Sequence, residues 1–432
     1  MPTFEHTLHA ELNAAPVVDP HTHLRASKPA ADNLADLVLY HHVWVELVSA
    51  GMPPTAATRA GLPHELADPG MDPLDRVNAA LPYLPHVRNT TCGYLLRTLL
   101  ADLYGVPAGE LTKDNVDDVA ARVAERAGDP SWASHVLKDR CHIQSSLTVE
   151  RGQGPPWDAS MGRGIEQSLN LVSGKKPPRE TLADMERSLG AELRTAEDLG
   201  RALHDLGKRY SNEAIRFVGL WLLPHLEFTD PGAAEVTRIL RRADDGESLD
   251  RAGLSAFTSY SLRRFLSGLR SGPLRTIQVI VGAQVLPPHR SLTHWSPEFP
   301  GALGRIAGEF EEFHFDCSTA SDLYTQDLAI LAKHVPNISV GGYWWHTLYP
   351  YYIRKSIEAR LDIVPANKIV AFFSDAYHAE WCYPKLKLVK RIFGDVLRER
   401  VECGLLTEQI ALSLARETFF DNPIRIYGLP VA

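Results

Sequence analysis

The sequence predicts an α/β fold in which eight parallel strands alternate with helices and close into a (β/α)8 barrel of the TIM type. Three observations lead there. Short β-branched apolar runs recur along the chain, separated by longer amphipathic segments with helical period. Several of them, such as Ile277–Gly282 (IQVIVG) and Ile369–Phe373 (IVAFF), are apolar almost throughout, as strands covered on both faces must be. The first run ends in His21-Thr22-His23 and the last in Ser374-Asp375. First and last staves are neighbours in a closed barrel, so these distant residues would share the mouth formed by the strands' C-terminal ends.

Taken in order, the strand candidates are Pro16–Asp19, His142–Val149, Leu169–Val172, Ile215–Trp221, Thr276–Gly282, Phe313–Cys317, Ile338–Tyr343 and Ile369–Ser374. The gap between the first two is far longer than one crossover needs. It carries a helical pattern over Asn33–Ser49, with apolar Leu34, Leu37, Val38, Val45 and Val48, a capping Asn33 and Gly51 beyond the end. A second pattern covers Asp114–Ala127. The expectation is one barrel domain over residues 1–432, with a helical insertion spanning about residues 25–140 that leans over the mouth. Glu227–Ser271 reads as two further helices.

Composition limits the function. The chain has 432 residues, 44% of them hydrophobic, enough for a large core. Lys and Arg number 45 against 53 Asp and Glu, and the net charge of −8 comes without a basic block. Nucleic acid and anionic membrane are therefore not expected partners, and a small-molecule substrate is. Homo-oligomers are compatible with this pattern. Neither a secretory signal nor a run of about 18 apolar residues is present, so a cytoplasmic protein is expected. The five cysteines show no C-x-x-C spacing and read as reduced thiols.

Chemistry concentrates at the strand ends. His21 and His23, two positions apart on an extended segment, point the same way. Imidazole suits zinc, manganese or iron, and Asp375 adds a carboxylate, so these three are the candidate ligands of one divalent ion, zinc foremost. Asp375 could equally cap the next helix. His41 and His42 lie on the insertion's helix, where adjacent residues diverge by about 100°, so one at most faces the pocket. Trp44, three positions after His41, either shares its face or fills core. Trp344 and Trp345 end the seventh strand and offer aromatic faces to a sugar ring or to the core. His346, Tyr377 and His378 lie on strand-end loops, and His225, His289 and His294 are further donors that pattern alone does not rank.

The segment Asp19-Pro20-His21-Thr22-His23-Leu24 resembles the metal-binding opening of the amidohydrolase superfamily, and Ser374-Asp375 its final-strand aspartate. Asn33-Leu34, Tyr40-His41-His42-Val43-Trp44 and Ala50-Gly51 are similar to the segment that follows in uronate (glucuronate) isomerases. Arg88-Asn89, Gln278–Ala283, Gly341–Trp345 and Asn422–Gly428 extend the resemblance in order over nearly the whole chain. It implies a metal-dependent sugar-acid isomerase that interconverts aldose and ketose. Asp375 and His41 would be its catalytic residues, and Arg88, Trp44, Trp344, Trp345 and Tyr377 its substrate contacts. Two departures stand out. Ile280 occupies the place of a fifth-strand histidine, and Ala376-Tyr377 that of a Ser-Arg pair whose arginine meets the sugar carboxylate. A phenol replaces neither the charge nor the fork of a guanidinium. Arg25 or Arg88 would then take over the carboxylate, or the substrate carries none. The other readings are a metal-dependent hydrolase acting on an amide, ester or lactone, and a barrel that binds a ligand without chemistry.

Overall fold

All six residues of strand β1 (Val17–Thr22) are buried, as a stave packed on both faces requires. In the computed structural model, which describes residues 4–149, 156–171, 176–286, 290–344 and 347–430, β1 pairs in parallel with β2 (Ile143–Thr148), and β2 with β3 (Met161–Arg163). β4 (Ile165–Ser168) pairs with β5 (Val218–Trp221), β5 with β6 (Thr276–Val281), β6 with β9 (His314–Thr319), and β9 with β10 (Ile338–Val340), all in parallel. The antiparallel hairpin of β7 (Ala283–Leu286) and β8 (Arg290–Thr293) follows β6.

β3 and β4 form one stave interrupted at Gly164, whose N–H bonds the Thr148 carbonyl at 2.9 Å while Ile165 N–H turns to Phe217 at 3.2 Å. A Cβ on Gly164 would lie 2.2 Å from the Phe217 ring, so only glycine lets the stave pass from one neighbour to the next. The third stave thus precedes the expected Leu169–Val172. Leu169 and Leu171 are buried in a loop among the outer helices, and Val172 lies outside the described residues.

The eighth stave, residues 369–376, is irregular and, among the described residues, makes one bridge pair, Val340 with Ile369. Its N–H groups are shared out: Val370 bonds Val340 (2.9 Å), Ala371 bonds Thr418 (3.0 Å), and Asp375 bonds His21 (3.0 Å). With His23 N–H on the Ala376 carbonyl at 2.9 Å, these contacts join the last stave to the first and complete the ring. The chain has the (β/α)8 fold expected of it.

Helices cover the outside between staves, among them Ala196–Ser211, Arg251–Leu269 and Ala379–Glu402. Glu227–Ser271 contributes two, Ala233–Asp244 and Arg251–Leu269. Between β1 and β2 the chain builds a helical layer that includes Leu34–Val38, His41–Ser49, Thr91–Tyr104 and Val116–Ala127. Asn33 caps the first by accepting from Ala35 and Asp36 N–H. The helix expected over Asn33–Ser49 breaks at Tyr40, which is extended (φ −47°, ψ 134°) and fully buried. Glu380 ties this layer to the barrel, accepting from Ala31 N–H, Tyr104 hydroxyl and Trp132 indole.

Inside the barrel, Val18, Leu147, Phe217 and Val370 pack with Ile426, Tyr427 and Leu429 from the C-terminal segment, filling the strands' N-terminal end. Ile280, Ala320, Trp344 and Phe373 form a second apolar group at the other end. Gly342 lies against the Phe373 ring so closely that a Cβ would meet it at 2.3 Å. The five cysteines are unpaired. Among the described residues no helix is long and apolar enough to cross a membrane.

Candidate active site

β1 delivers His21 within the strand and His23 just beyond it, both toward the mouth, as the period of two requires. The eighth stave brings Asp375 to them: its Oδ1 lies 3.5 Å from His21 Nε2 and 3.3 Å from His23 Nε2. Asp375 has φ +50°, in the left-handed region that Asp tolerates better than most residues. Its carbonyl accepts from the Tyr40 hydroxyl at 3.0 Å. Lys385 Nζ, fully buried, donates to the preceding Ser374 carbonyl at 2.7 Å. The strained backbone is therefore fixed from both sides.

A fourth group joins them. Glu166 on β4 places Oε1 3.8 Å from His21 Nε2, and accepts from the Trp221 indole at 3.2 Å. Donor atoms of His21, His23 and Glu166 lie within 4.8 Å of one another, so with Asp375 they could hold a metal ion. Sequence reasoning missed Glu166 because its stave, Met-Gly-Arg-Gly-Ile-Glu-Gln-Ser, is not an apolar run. No period-two alternation marks it either, since Met161 and Ile165 share a parity with Arg163 and Gln167.

Gln278 sets the tautomer of His21. Its Nε2 donates to the Pro20 carbonyl (2.9 Å) and to the Tyr427 hydroxyl (2.7 Å), so its Oε1 must face His21 Nδ1, at 2.7 Å. An amide oxygen only accepts, and His21 Nδ1 therefore carries the proton, leaving the Nε2 lone pair aimed at the cluster in the neutral ring. The chain continues inward: Tyr427 donates to Asp316 Oδ2 (2.6 Å) and Ser339 to Asp316 Oδ1 (2.7 Å).

Electrostatics follow from burial and pairing. Burial opposes the charge on Asp375, yet His21 and His23 outweigh it and hold its carboxyl well below the usual range. Burial likewise opposes protonation of His21, but Asp375 and Glu166 raise its pKa. The carboxylate stays ionised at neutral pH.

Around this cluster, Tyr377 stacks on His23 with ring centres 4.6 Å apart and planes 13° from parallel, and the His41 ring meets Tyr377 edge-on at 5.3 Å. His41 starts its helix with its N–H on Glu65 Oε1 at 3.1 Å. Trp344, 3% exposed, packs edge-on against Trp221 at 4.6 Å and forms a wall with Ile280 and Phe373. Trp44 is not brought to the cluster; it is 4% exposed in the core of the helical layer. Arg88 is exposed at the end of a 3-10 turn, and Arg25 is engaged by Asp32 at 2.7 Å. His225 and His294 face each other at 6.4 Å. His378 turns away to join His64 and Asp36. Trp345, His346 and His289 lie outside the described residues.

No protein-family model and no curated protein sequence matches the chain. Solved structures do match. The glucuronate isomerase of Caulobacter crescentus aligns over 99% of this chain and 94% of its own, with a TM-score of 0.82 at 16% identity. The uronate isomerase of Thermotoga maritima aligns over 98% and 97%, with a TM-score of 0.79 at 14% identity. A Lactobacillus casei protein assigned as a metal-dependent hydrolase aligns over 98% and 97%, with a TM-score of 0.61 at 13% identity. At these identities the likeness establishes the fold: this chain shares, over nearly its whole length, the barrel found in uronate isomerases.

Proposed function

We propose that this chain is a metal-dependent sugar-acid isomerase, interconverting the aldose and ketose forms of a uronate or a related acid. The observation that carries the reading is the convergence of His21, His23, Glu166 and Asp375 at the barrel mouth, on the fold that the glucuronate isomerase of Caulobacter crescentus also has. Two neutral imidazoles and two carboxylates fit a divalent ion, zinc first, with manganese or iron as alternatives. Such an ion supplies Lewis acidity that polarises a carbonyl and the hydroxyl beside it.

The protein's own groups do the rest. Asp375, ionised and fixed by Tyr40 and Lys385 through the backbone, takes up and returns the proton that moves between neighbouring carbons. Tyr377 stands one ring beyond His23 and His41 one ring further, where hydroxyls of an extended substrate would lie. The wall of Ile280, Trp344 and Phe373 excludes water from the reacting carbons and covers one face of the sugar. Arg88 and Trp44 would enter the site only through a rearrangement of the helical layer. Five unpaired thiols fit a reducing cytoplasm.

The apolar wall also favours a second reading, a hydrolase for a substrate with fewer hydroxyls than a sugar. Incubation with D-glucuronate and other hexuronates in deuterated water separates the two. The isomerase places deuterium on the carbon next to the carbonyl and yields the ketose by NMR. If no hexuronate exchanges or turns over in the metal-loaded protein, the isomerase reading fails.

A further inference from the structure

Beside the mouth lies a second cluster that the reaction does not use. Asp36 sits on the helix Leu34–Val38, His64 on the loop that follows the next helix, and His378 at the start of Ala379–Glu402. Their donor atoms come within 4.8 Å of one another. His64 Nε2 is 3.6 Å from Asp36 Oδ1 and 3.6 Å from Glu65 Oε1. The cluster is enclosed: His378 is 7% and Asp36 8% exposed, and the side chains of His64 and Glu65 are 10% and 4% exposed.

None of the four ring nitrogens of His64 and His378 makes a hydrogen bond within the described residues, although all are shielded from solvent. Buried imidazoles normally find partners, because an unpaired polar atom forfeits its hydration. The two rings are nearly parallel, 16° apart, with centres separated by 6.4 Å. The charged groups acting on them are Asp36, Glu65 and Arg76, with Arg25 and Asp32 also acting on His378, and Glu65 Oε1 lies 3.8 Å from His41 Nδ1. Arg76 is itself held by the Ala57 carbonyl. Two imidazoles and a carboxylate are a donor set for zinc or a similar borderline cation.

We propose that Asp36, His64 and His378 form a second divalent-cation site, separate from the mouth, that clamps the helical layer to the end of the eighth stave. Asp36 and His64 belong to that layer, whereas His378 lies three positions after Asp375 and next to Tyr377, which stacks on His23. An ion here fixes Tyr377 over the mouth. Tetrahedral zinc sets its ligands about 3.3 Å apart, so no pair would need to draw in by more than about 1.5 Å, with Glu65 or a water completing the set.

Metal counting on the full-length protein tests this without reference to activity. Protein saturated with zinc and freed of excess is analysed by elemental mass spectrometry, and cobalt(II) substitution reports coordination by its visible absorption. Two equivalents are expected for the unaltered chain, one for His23→Ala, one for His378→Ala or His64→Ala, and none for His23→Ala combined with His378→Ala. Chelation of the His23→Ala protein should lower its unfolding temperature. Should a histidine variant fail to fold, Asp36→Asn, which keeps size and shape, should weaken zinc binding at the second site at least tenfold. A single equivalent in the unaltered chain that His23→Ala abolishes would overturn the proposal, as would undiminished stoichiometry and affinity in the Asp36, His64 and His378 variants.

Discussion

Replacing Gln278 by Leu keeps the shape of a 6%-exposed side chain and removes three hydrogen bonds at once. The structure says what each loss does. His21 Nδ1–H is left buried without an acceptor, which costs about 1–3 kcal/mol, and the Pro20 carbonyl loses a donor. Tyr427 keeps its bond to Asp316, so its share is smaller. A net destabilisation of about 2–4 kcal/mol follows. Metal affinity should fall as well, because nothing then selects the tautomer that exposes Nε2. Such outer partners are worth about 10- to 100-fold in affinity, or about 1.4–2.7 kcal/mol. Gln278→Glu separates the two effects. It retains an acceptor for His21 but offers no donor to Pro20 or Tyr427, so it should lose stability while holding metal at least as well as the parent. Zinc affinity is read by competition with a chromophoric chelator and stability by denaturant unfolding of the metal-free protein. If Gln278→Leu binds zinc within twofold of the parent, or if the Leu and Glu variants bind alike, the tautomer argument is wrong.

Asp375→Asn should leave circular dichroism unchanged and lower turnover by at least about 100-fold, since it removes the charge that accepts the proton while keeping the side chain's size; activity near the parental level would remove Asp375 from the reaction. Burial and the neighbouring Arg425 and Lys368 push His314 down to about 4, so the folded chain resists a proton that the unfolded chain takes up near 6.5. Stability is then unaffected by this group above about pH 6.5 and is lost as pH falls toward 4, by about 2.5 kcal/mol at pH 4.5. His314→Gln, which can still donate to Ser339, should flatten that part of the denaturation profile, and identical pH slopes in both proteins would show that the group does not titrate this way. Gly164→Ala drives a methyl into the Phe217 ring and should cost about 1–3 kcal/mol by denaturant midpoint, with an unchanged midpoint counting against the stave-crossing role of this glycine.

The parts of the fold that sequence made legible are those where one physical demand dominates. β6 is buried on both faces and its apolar run marks it, whereas β9 shows itself through the alternation of Phe313, Phe315 and Cys317 with polar residues. The third stave escapes that logic because it carries Glu166 into the mouth and crosses from β2 to β5 at a glycine; function and topology displaced the apolar pattern, and the apolar Leu169 and Leu171 beside it serve the outer helices. The break at Tyr40 was invisible for a related reason. Its helical period continues through the break, whereas the extended conformation is stabilised by a tertiary contact, the hydroxyl on Asp375's carbonyl. His21, His23 and Asp375 could be paired from strand order alone, but Gln278 could not be assigned its part, since that depends on which carbonyl its amide meets across the barrel.

Ile280 and Tyr377 look in the sequence like two separate losses, and the structure connects them to different neighbours. Ile280 is one face of a continuous wall with Trp344, Phe373 and Ala320, in which an imidazole would replace an apolar contact with a buried polar ring. The change on β6 therefore belongs to a wall that is apolar throughout, and in the proposed metal site Glu166 would supply a fourth donor from another stave. Tyr377 lies flat on His23, where an arginine would set a second cation beside the proposed metal site. Its phenol offers a hydrogen bond without charge. A substrate carboxylate, in the isomerase reading, must then be met from the His41 side of the mouth or by the ion itself, and the wall of Ile280 must cover carbon rather than hydroxyl. The preferred substrate should accordingly be a sugar acid with an unsubstituted or deoxygenated edge, and a comparison of kcat/KM for hexuronates with their deoxy analogues should favour the latter if the wall selects for it.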